Sequence, residues 1–173
     1  MSRLAPWLFG AAVAVLAHVA TVAAVPYVLT GVAMKRIAER GAGVNAWSFS
    51  PPVDAANQSI VRSSPDLLYA ACVYDLSDGP VRVTAAPGAD YVSVSVFAPN
   101  SDNVFVLNDR QAPGGFDLLL TDDPASAPEG PWRVVEAPRR GLVLQRRLAS
   151  GAEATAAALA ARAGDRCGPL PRS

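Results

Sequence analysis

No charged side chain interrupts the chain between Leu4 and Met34, and this apolar run constrains the fold more than any other feature. Its centre, LFGAAVAVLAHVATVAAVP, lies between Trp7 and Tyr27. About twenty helical residues span about 30 Å, the thickness of a bilayer's hydrocarbon core. Aromatic rings at both ends suit the two water–lipid interfaces. Residues 1–41 are therefore expected to form a transmembrane anchor with a juxtamembrane helix that stops at Gly41. Pro26 is expected where the helix leaves the hydrocarbon, because proline costs least near a boundary. The competing reading is a cleaved signal, with Arg3 as its charged region and Val22-Ala23-Ala24 as a loose cleavage site. A signal's apolar region is about 7–15 residues long, and this run exceeds that, so length favours the anchor. His18 lies inside the run without a charged partner, and a neutral imidazole there can bond Thr21 or a carbonyl one turn back.

Beyond the run, about 130 residues remain, enough for one core. The formal charge is zero and no basic run occurs, which argues against nucleic-acid binding. The single histidine is His18, so the rest of the chain cannot build a Ser-His-Asp triad, a Cys-His dyad or a histidine-bearing zinc site. Two cysteines make no thiolate cluster. No cofactor and no metal are expected.

Residues 42–66 carry Pro51-Pro52 and several serines without a sustained period and read as an extended connector. From Leu67 onward, short β-type runs alternate with turn residues: LLYAACVYD, VRVTA, YVSVSVFA, NVFVLN, FDLLLT, WRVVEA and GLVLQRRL. About seven strands at this spacing predict a mainly β fold, an antiparallel sandwich or barrel-like domain over residues 67–149. Leu68, Val94, Val96, Val106, Leu119, Val134 and Val143 are expected to face inward. Residues 150–173 are expected to form a helix and tail. Ser150 and Glu153 stand at capping-box spacing, and Arg162 precedes a stop at Gly164.

The stretch PDLLYAACVYDLSDGPVRVTAAPGADYVSVSVFAPNSDNVFVLNDR resembles the core signature of the domain of unknown function 1254 family. Asp66, Leu68, Tyr69, Asp75, Leu76, Ser77, Gly79, Pro80 and Tyr91 carry the likeness, and Asp-Leu-Ser-x-Gly-Pro is its most specific piece. The start of the chain, with HVATVAAVP, is similar to a short branch of that family described as predicted integral membrane proteins. Ser64, Leu67, Ala70 and Asp90 stand where longer members have Asn, Thr, Ser and Arg, so a polar site lined by those residues is expected to be largely erased here. Longer members also often carry a second domain, for which this chain has no room. The resemblance thus leaves open a related partner protein.

The motif Asp75-Leu76-Ser77-Asp78-Gly79-Pro80 also has a plain physical reading as a capped turn between strands. Tyr69, Asp75 and Arg110 are the candidates for catalysis, and Tyr74, Asn108 and Asp109 for ligand binding, if the strands bring them together. A tyrosine beside a carboxylate and a guanidinium can act as a general acid or hold a small anion. The alternative is that the tyrosines pack their rings in the core while Asn108-Asp109-Arg110 forms a turn. Asn100, Asp102 and Asn103 offer oxygens at close spacing but lack the pattern of an EF-hand. Asp122-Asp123 reads as a solvated loop.

Cys72 lies in an apolar strand and Cys167 just past a weakly apolar helix, and a disulfide between them is expected to pin helix and tail to the sheet. Such a bond persists in an oxidising compartment. Lys35, Arg36 and Arg40 after the run favour a cytoplasmic domain by the positive-inside rule, yet long domains are exported despite flanking charge. The expectation is a single-pass protein of a bacterial inner membrane with its domain in the periplasm. The lipid bilayer is its expected partner, and the resemblance leaves a related partner protein open. Two functions stay open: a non-enzymatic binding or accessory module, or an enzyme or enzyme subunit using the Tyr/Asp/Arg group.

Overall fold

The computed structural model describes residues 4–54, 63–88 and 90–170. Arg3 and the connector residues 55–62 lie outside the described residues. Helix α1, Ala5–Arg40, opens with proline in its first turn, where a missing amide hydrogen costs nothing, and closes with the Gly41 amide donating to Ile37 O at 2.9 Å. It is long and apolar enough to cross a membrane, and none of its residues is buried. Pro26 lies inside the continuous helix, which runs on to its expected stop at Gly41. The helix loses only the amide bond of that one residue and keeps its turns on either side.

Nine strands follow among the described residues: β1 Trp47–Phe49, β2 Leu67–Asp75, β3 Val81–Ala85, β4 Val92–Phe97, β5 Asn103–Asn108, β6 Phe116–Thr121, β7 Arg133–Glu136, β8 Arg140–Leu148 and β9 Arg166–Pro169. They form a five-stranded sheet, β1-β2-β8-β4-β5, and a four-stranded sheet, β7-β6-β3-β9. The expectation of seven strands omitted β1 and β9. Both are short and carry little apolar alternation of their own; each exists because an established strand offers its edge, β2 to β1 and β3 to β9. Pairing is antiparallel except between β6 and β7, which run parallel. The segment from Thr121 to Arg133, with a 3-10 turn at Pro124–Ser126, brings the chain back in the same direction.

One apolar core joins the two sheets. Trp47, Cys72, Tyr74, Val94, Val96 and Val143 come from the first sheet, and Val81, Val83, Phe116, Leu118, Leu120 and Val135 from the second. Leu68 is buried in a smaller cluster with Ala149, Ala158 and Leu159, and Leu119 is buried as well. Val106 and Val134 do not point inward; they are 55% and 39% exposed, while Leu107 and Val135 are buried in their place. Both strands lie at sheet edges and have apolar residues in both phases, so alternation alone does not choose the face.

Helix α2, Ala152–Arg162, crosses from β8 of the first sheet to β9 of the second. Its N-cap is Gly151, at φ +86°, not Ser150, and no side chain caps it. Instead, the Thr155 hydroxyl donates within the first turn, with Gly151 O at 2.7 Å and Ala149 O at 2.9 Å. The chain must turn sharply out of β8, which glycine at positive φ permits, and the helix start moves one residue later.

Candidate functional site

The sequence candidates do not share a site. Tyr69 and Asp75 occupy opposite ends of β2, about 20 Å apart at about 3.3 Å per residue. Across the first sheet, Tyr69 is in register with Arg146, then Ser93, then Asn108, which puts three strand spacings, about 14 Å, between Tyr69 and Asn108. Asp75 pairs instead with Arg140. The ends that would have to meet for a Tyr/Asp/Arg site are held apart by the register.

Tyr69, Asp75, Asn108 and Asp109 also have local partners. The Tyr69 hydroxyl accepts from the Ser64 amide at 3.0 Å. Asp75 Oδ1 accepts from the amide and hydroxyl of Ser77 at 2.9 and 2.6 Å, and Oδ2 from Arg140 Nε at 2.7 Å. Those Ser77 bonds, with Arg140 adding to them, hold the Asp75 carboxyl below the ordinary carboxylate range. Gly79, at φ +123°, donates to Leu76 O and completes the turn into β3. The side chain of Asn45, itself at φ +56°, bonds the backbone of Asp75 from the other side, donating to its carbonyl and accepting from its amide. Asn108 Oδ1 accepts from the amides of Arg110 and Gln111, and Asp109 Oδ1 from that of Val92. Arg110 is exposed. Tyr74 is fully buried, its hydroxyl lacks a partner among the described residues, and burial pushes its pKa up to about 12.

The loop candidates resolve in the same way. The Asn100 amide donates to Asp102 Oδ2 at 2.6 Å at the tip of the β4–β5 hairpin, and Asp123 caps the 3-10 turn, accepting from Ala125 and Ser126. Asp123 is thus a helix cap and not merely a solvated loop residue. Among the described residues, no group of three or more His, Cys, Asp or Glu could hold a metal ion.

A polar cluster that the sequence reading missed lies in the interior. Gln145 and Arg147 of β8 point inward and are each 2% exposed, and Asp165, between α2 and β9, is 3% exposed. Arg147 Nη2 donates to both Asp165 oxygens at 2.9 Å and to Ala86 O at 2.8 Å. Gln145 Nε2 donates to Asp165 Oδ2 at 2.8 Å, and the Ala86 amide to Oδ1 at 2.7 Å. Asp165 therefore ties β8, the end of β3 and the start of β9 together. Gln145 and Arg147 follow Val143 in strict alternation, so their inward phase was readable, but polar side chains there look like solvent-facing ones. Cys72 and Cys167 bond to each other nearby, with a Cα–Cα distance of 6.6 Å, and join β2 of one sheet to β9 of the other.

Architecture and interior together define a two-sheet, mostly antiparallel β protein with an ion-paired core and a long apolar amino-terminal helix. The chain belongs to the family described as protein of unknown function (DUF1254), whose model matches residues 44–169. Its fold is similar to that of the VPA0106 protein from Vibrio parahaemolyticus, with a TM-score of 0.64 and 17% identity, over 89% of this chain and 40% of that one. This chain thus spans less than half the length of that relative. A weaker likeness, TM-score 0.44 and 21% identity, links it to an uncharacterized protein from Burkholderia cenocepacia over 67% of this chain and 36% of that one. No curated protein matches the chain significantly.

Proposed function

We propose that this protein is a single-pass inner-membrane member of a short, membrane-anchored branch of the family, and that its β-domain works in the periplasm as a binding or accessory module without turnover of its own. In this reading residues 1–41 anchor the chain, 42–66 lead into the domain and lend it β1, and the two sheets pack as a sandwich. The exposed apolar length of α1 supports the anchor, and the Cys72–Cys167 bond supports an oxidising compartment. The observation that carries the non-enzymatic reading is the register that keeps Tyr69, Asp75 and the exposed Arg110 apart, with the side chains of Tyr69 and Asp75 already bonded locally.

Amino-terminal sequencing of the mature protein, together with protease treatment of spheroplasts, tests the proposal. The reading expects an intact start, resistance to alkaline extraction from membranes and cleavage of the domain from outside. A mature start at Val25 or Pro26 overturns the anchor, and a protected domain overturns the periplasmic placement.

A further inference from the structure

The β-domain packs along the last turns of α1 and stops where the bare apolar stretch begins. Pro26, Thr30, Met34, Ile37 and Ala38 are half-buried and lie on one stripe of the helix, whereas every residue from Leu4 to Val25 is exposed. Two hydrogen bonds fix how the helix meets the first sheet. The Ala42 amide, just past α1, donates to Ser48 Oγ on β1 at 3.1 Å. The Thr30 hydroxyl shares a hydrogen bond with the Ser101 hydroxyl at the tip of the β4–β5 hairpin. Ser101 stands there at φ +72°, a conformation that residues with side chains seldom adopt. β1 and β5 are the two edges of this sheet. From Thr30 to Ala42 the chain advances about 18 Å along the helix, and the four strand spacings from β1 to β5 measure about 19 Å. The helix therefore crosses the sheet from edge to edge, and β5 is the edge turned toward the apolar stretch. Tyr27 lies within one turn of Thr30, so no length of free helix separates β5 from that stretch.

Resting on the reading of α1 as a membrane anchor, we infer that the flank formed by β5 and β7 lies on the bilayer and beds its exposed valines in the headgroup layer. Val104 and Val106 of β5 and Val134 of β7 are 42%, 55% and 39% exposed. Arg133 of β7 lies over the Phe105 ring at 5.0 Å, which joins the edges of the two sheets into one flank with a shallow groove between them. Withdrawing the valines from water favours the contact. The headgroup layer is also wet enough to hydrate the outer edge of β5, which pairs with no strand among the described residues and could not enter the hydrocarbon. Strand β5 carries none of the charges or prolines that guard a free edge in solution. Exposed Arg110 and Arg133 can meet lipid phosphates, and exposed Asp122 and Glu136 balance them, so the flank suits a zwitterionic surface. A second copy anchored in the same bilayer approaches from the side and does not reach an edge that faces along the membrane normal.

The test uses the full chain in vesicles of phosphatidylcholine and phosphatidylethanolamine. Cys72 and Cys167 are bonded to each other, so a single added cysteine carries a fluorophore alone. Leu16→Cys reports on the anchor, Val106→Cys on the flank, and Val44→Cys on an equally exposed valine beside the opposite edge of the sheet. Lipids with a nitroxide near the headgroup should quench the Val106→Cys label, while only aqueous iodide should quench the Val44→Cys label. Lipids with a nitroxide deep in the acyl chains should quench the Leu16→Cys label. A Val106→Cys label quenched by iodide alone, with Leu16→Cys still quenched by lipid, overturns the inference and leaves the anchor standing. Quenching of Leu16→Cys by iodide overturns the anchor and the inference with it. A Val106→Cys label shielded from lipid and iodide alike would mean that a second copy covers β5, and overturns the inference too.

Discussion

Arg147 and Asp165 face each other in the interior at 2.9 Å, with side chains 2% and 0% exposed, and their pairing connects the last strand of one sheet to the segment that enters the other. Asp165 precedes β9 and Arg147 belongs to β8, with the whole of α2 between them in sequence. The pair therefore fixes the path of α2 at both ends. Gln145 and the Ala86 amide occupy further lone pairs of the carboxylate, which makes its burial tolerable.

Removing one partner strands the other. Asp165→Ala is expected to destabilise the fold by about 3–5 kcal/mol, since Arg147 would remain charged and buried. Arg147→Met combined with Asp165→Leu should recover a large part of that loss, because burying neither charge is often close to neutral. Denaturant unfolding of the full chain in detergent measures both. A single substitution losing under about 1 kcal/mol contradicts a structural role for the pair.

Tyr74 gives a pH-dependent counterpart. Its hydroxyl is buried without a partner among the described residues, so Tyr74→Phe should be stabilising by about 1 kcal/mol at neutral pH. The folded-state pKa, pushed up from 10.0 to about 12, lies above the unfolded value. Stability linked to the protonated phenol is complete below pH 10.0 and is lost as pH rises through about 12. The gap between variant and wild type should therefore widen across that window. A constant gap from pH 9 to about 12 would show that Tyr74 ionises as easily folded as unfolded.

Much of the fold is legible in the alternation of Val92, Val94 and Val96 against Ser93 and Ser95, and in the Asp75–Gly79 turn, because both signals are local. The rest depends on neighbours. Trp47–Phe49 and Arg166–Pro169 become strands only when β2 and β3 offer them edges. Val106 and Val134 turn outward because their strands have apolar residues in both phases and the packing selects Leu107 and Val135. Whether the Tyr/Asp/Arg candidates meet is not legible for the same reason: proximity of Tyr69 to Asn108 or Asp75 is a matter of register, which a list of strands does not contain. The polar centre at Asp165 needs a partner twenty residues upstream, across a helix, and no local pattern marks it.

Gly141 is required by close packing rather than by its backbone angles. It is the cross-strand partner of Tyr74, and a β-carbon there would collide with the Tyr74 ring and hydroxyl and with the Phe97 carbonyl. Gly141→Ala should lower stability by about 1–3 kcal/mol, as overpacking does in tight cores. Adding Tyr74→Phe should not rescue it, because the Phe97 carbonyl belongs to the backbone of the neighbouring strand β4 and cannot swing away. Full rescue by the double substitution, measured by the same unfolding experiment, would place the constraint on the hydroxyl alone.

The disulfide and the buried ion pair should be energetically coupled. Cys167 follows Asp165 by two residues, and its bond to Cys72 closes a separation of 95 residues. Chain-entropy estimates for such a loop give about 4–5 kcal/mol, with measured effects of native bonds at about 2–5 kcal/mol. Besides limiting the unfolded chain, the bond holds β9 beside β3 at the place where Asp165 must meet Arg147 and the Ala86 amide. Replacing both cysteines by alanine should therefore loosen the segment that presents the Asp165 carboxylate. Asp165→Ala should then cost less in the cysteine-free protein than in the disulfide-bonded one, with a coupling of about 0.5–3 kcal/mol in the double-mutant cycle. Dithiothreitol should reproduce the effect of the alanine pair in the wild-type protein and leave the cysteine-free protein unchanged. Effects that add within about 0.3–0.5 kcal/mol would mean that β9 keeps its place through its pairing with β3 alone.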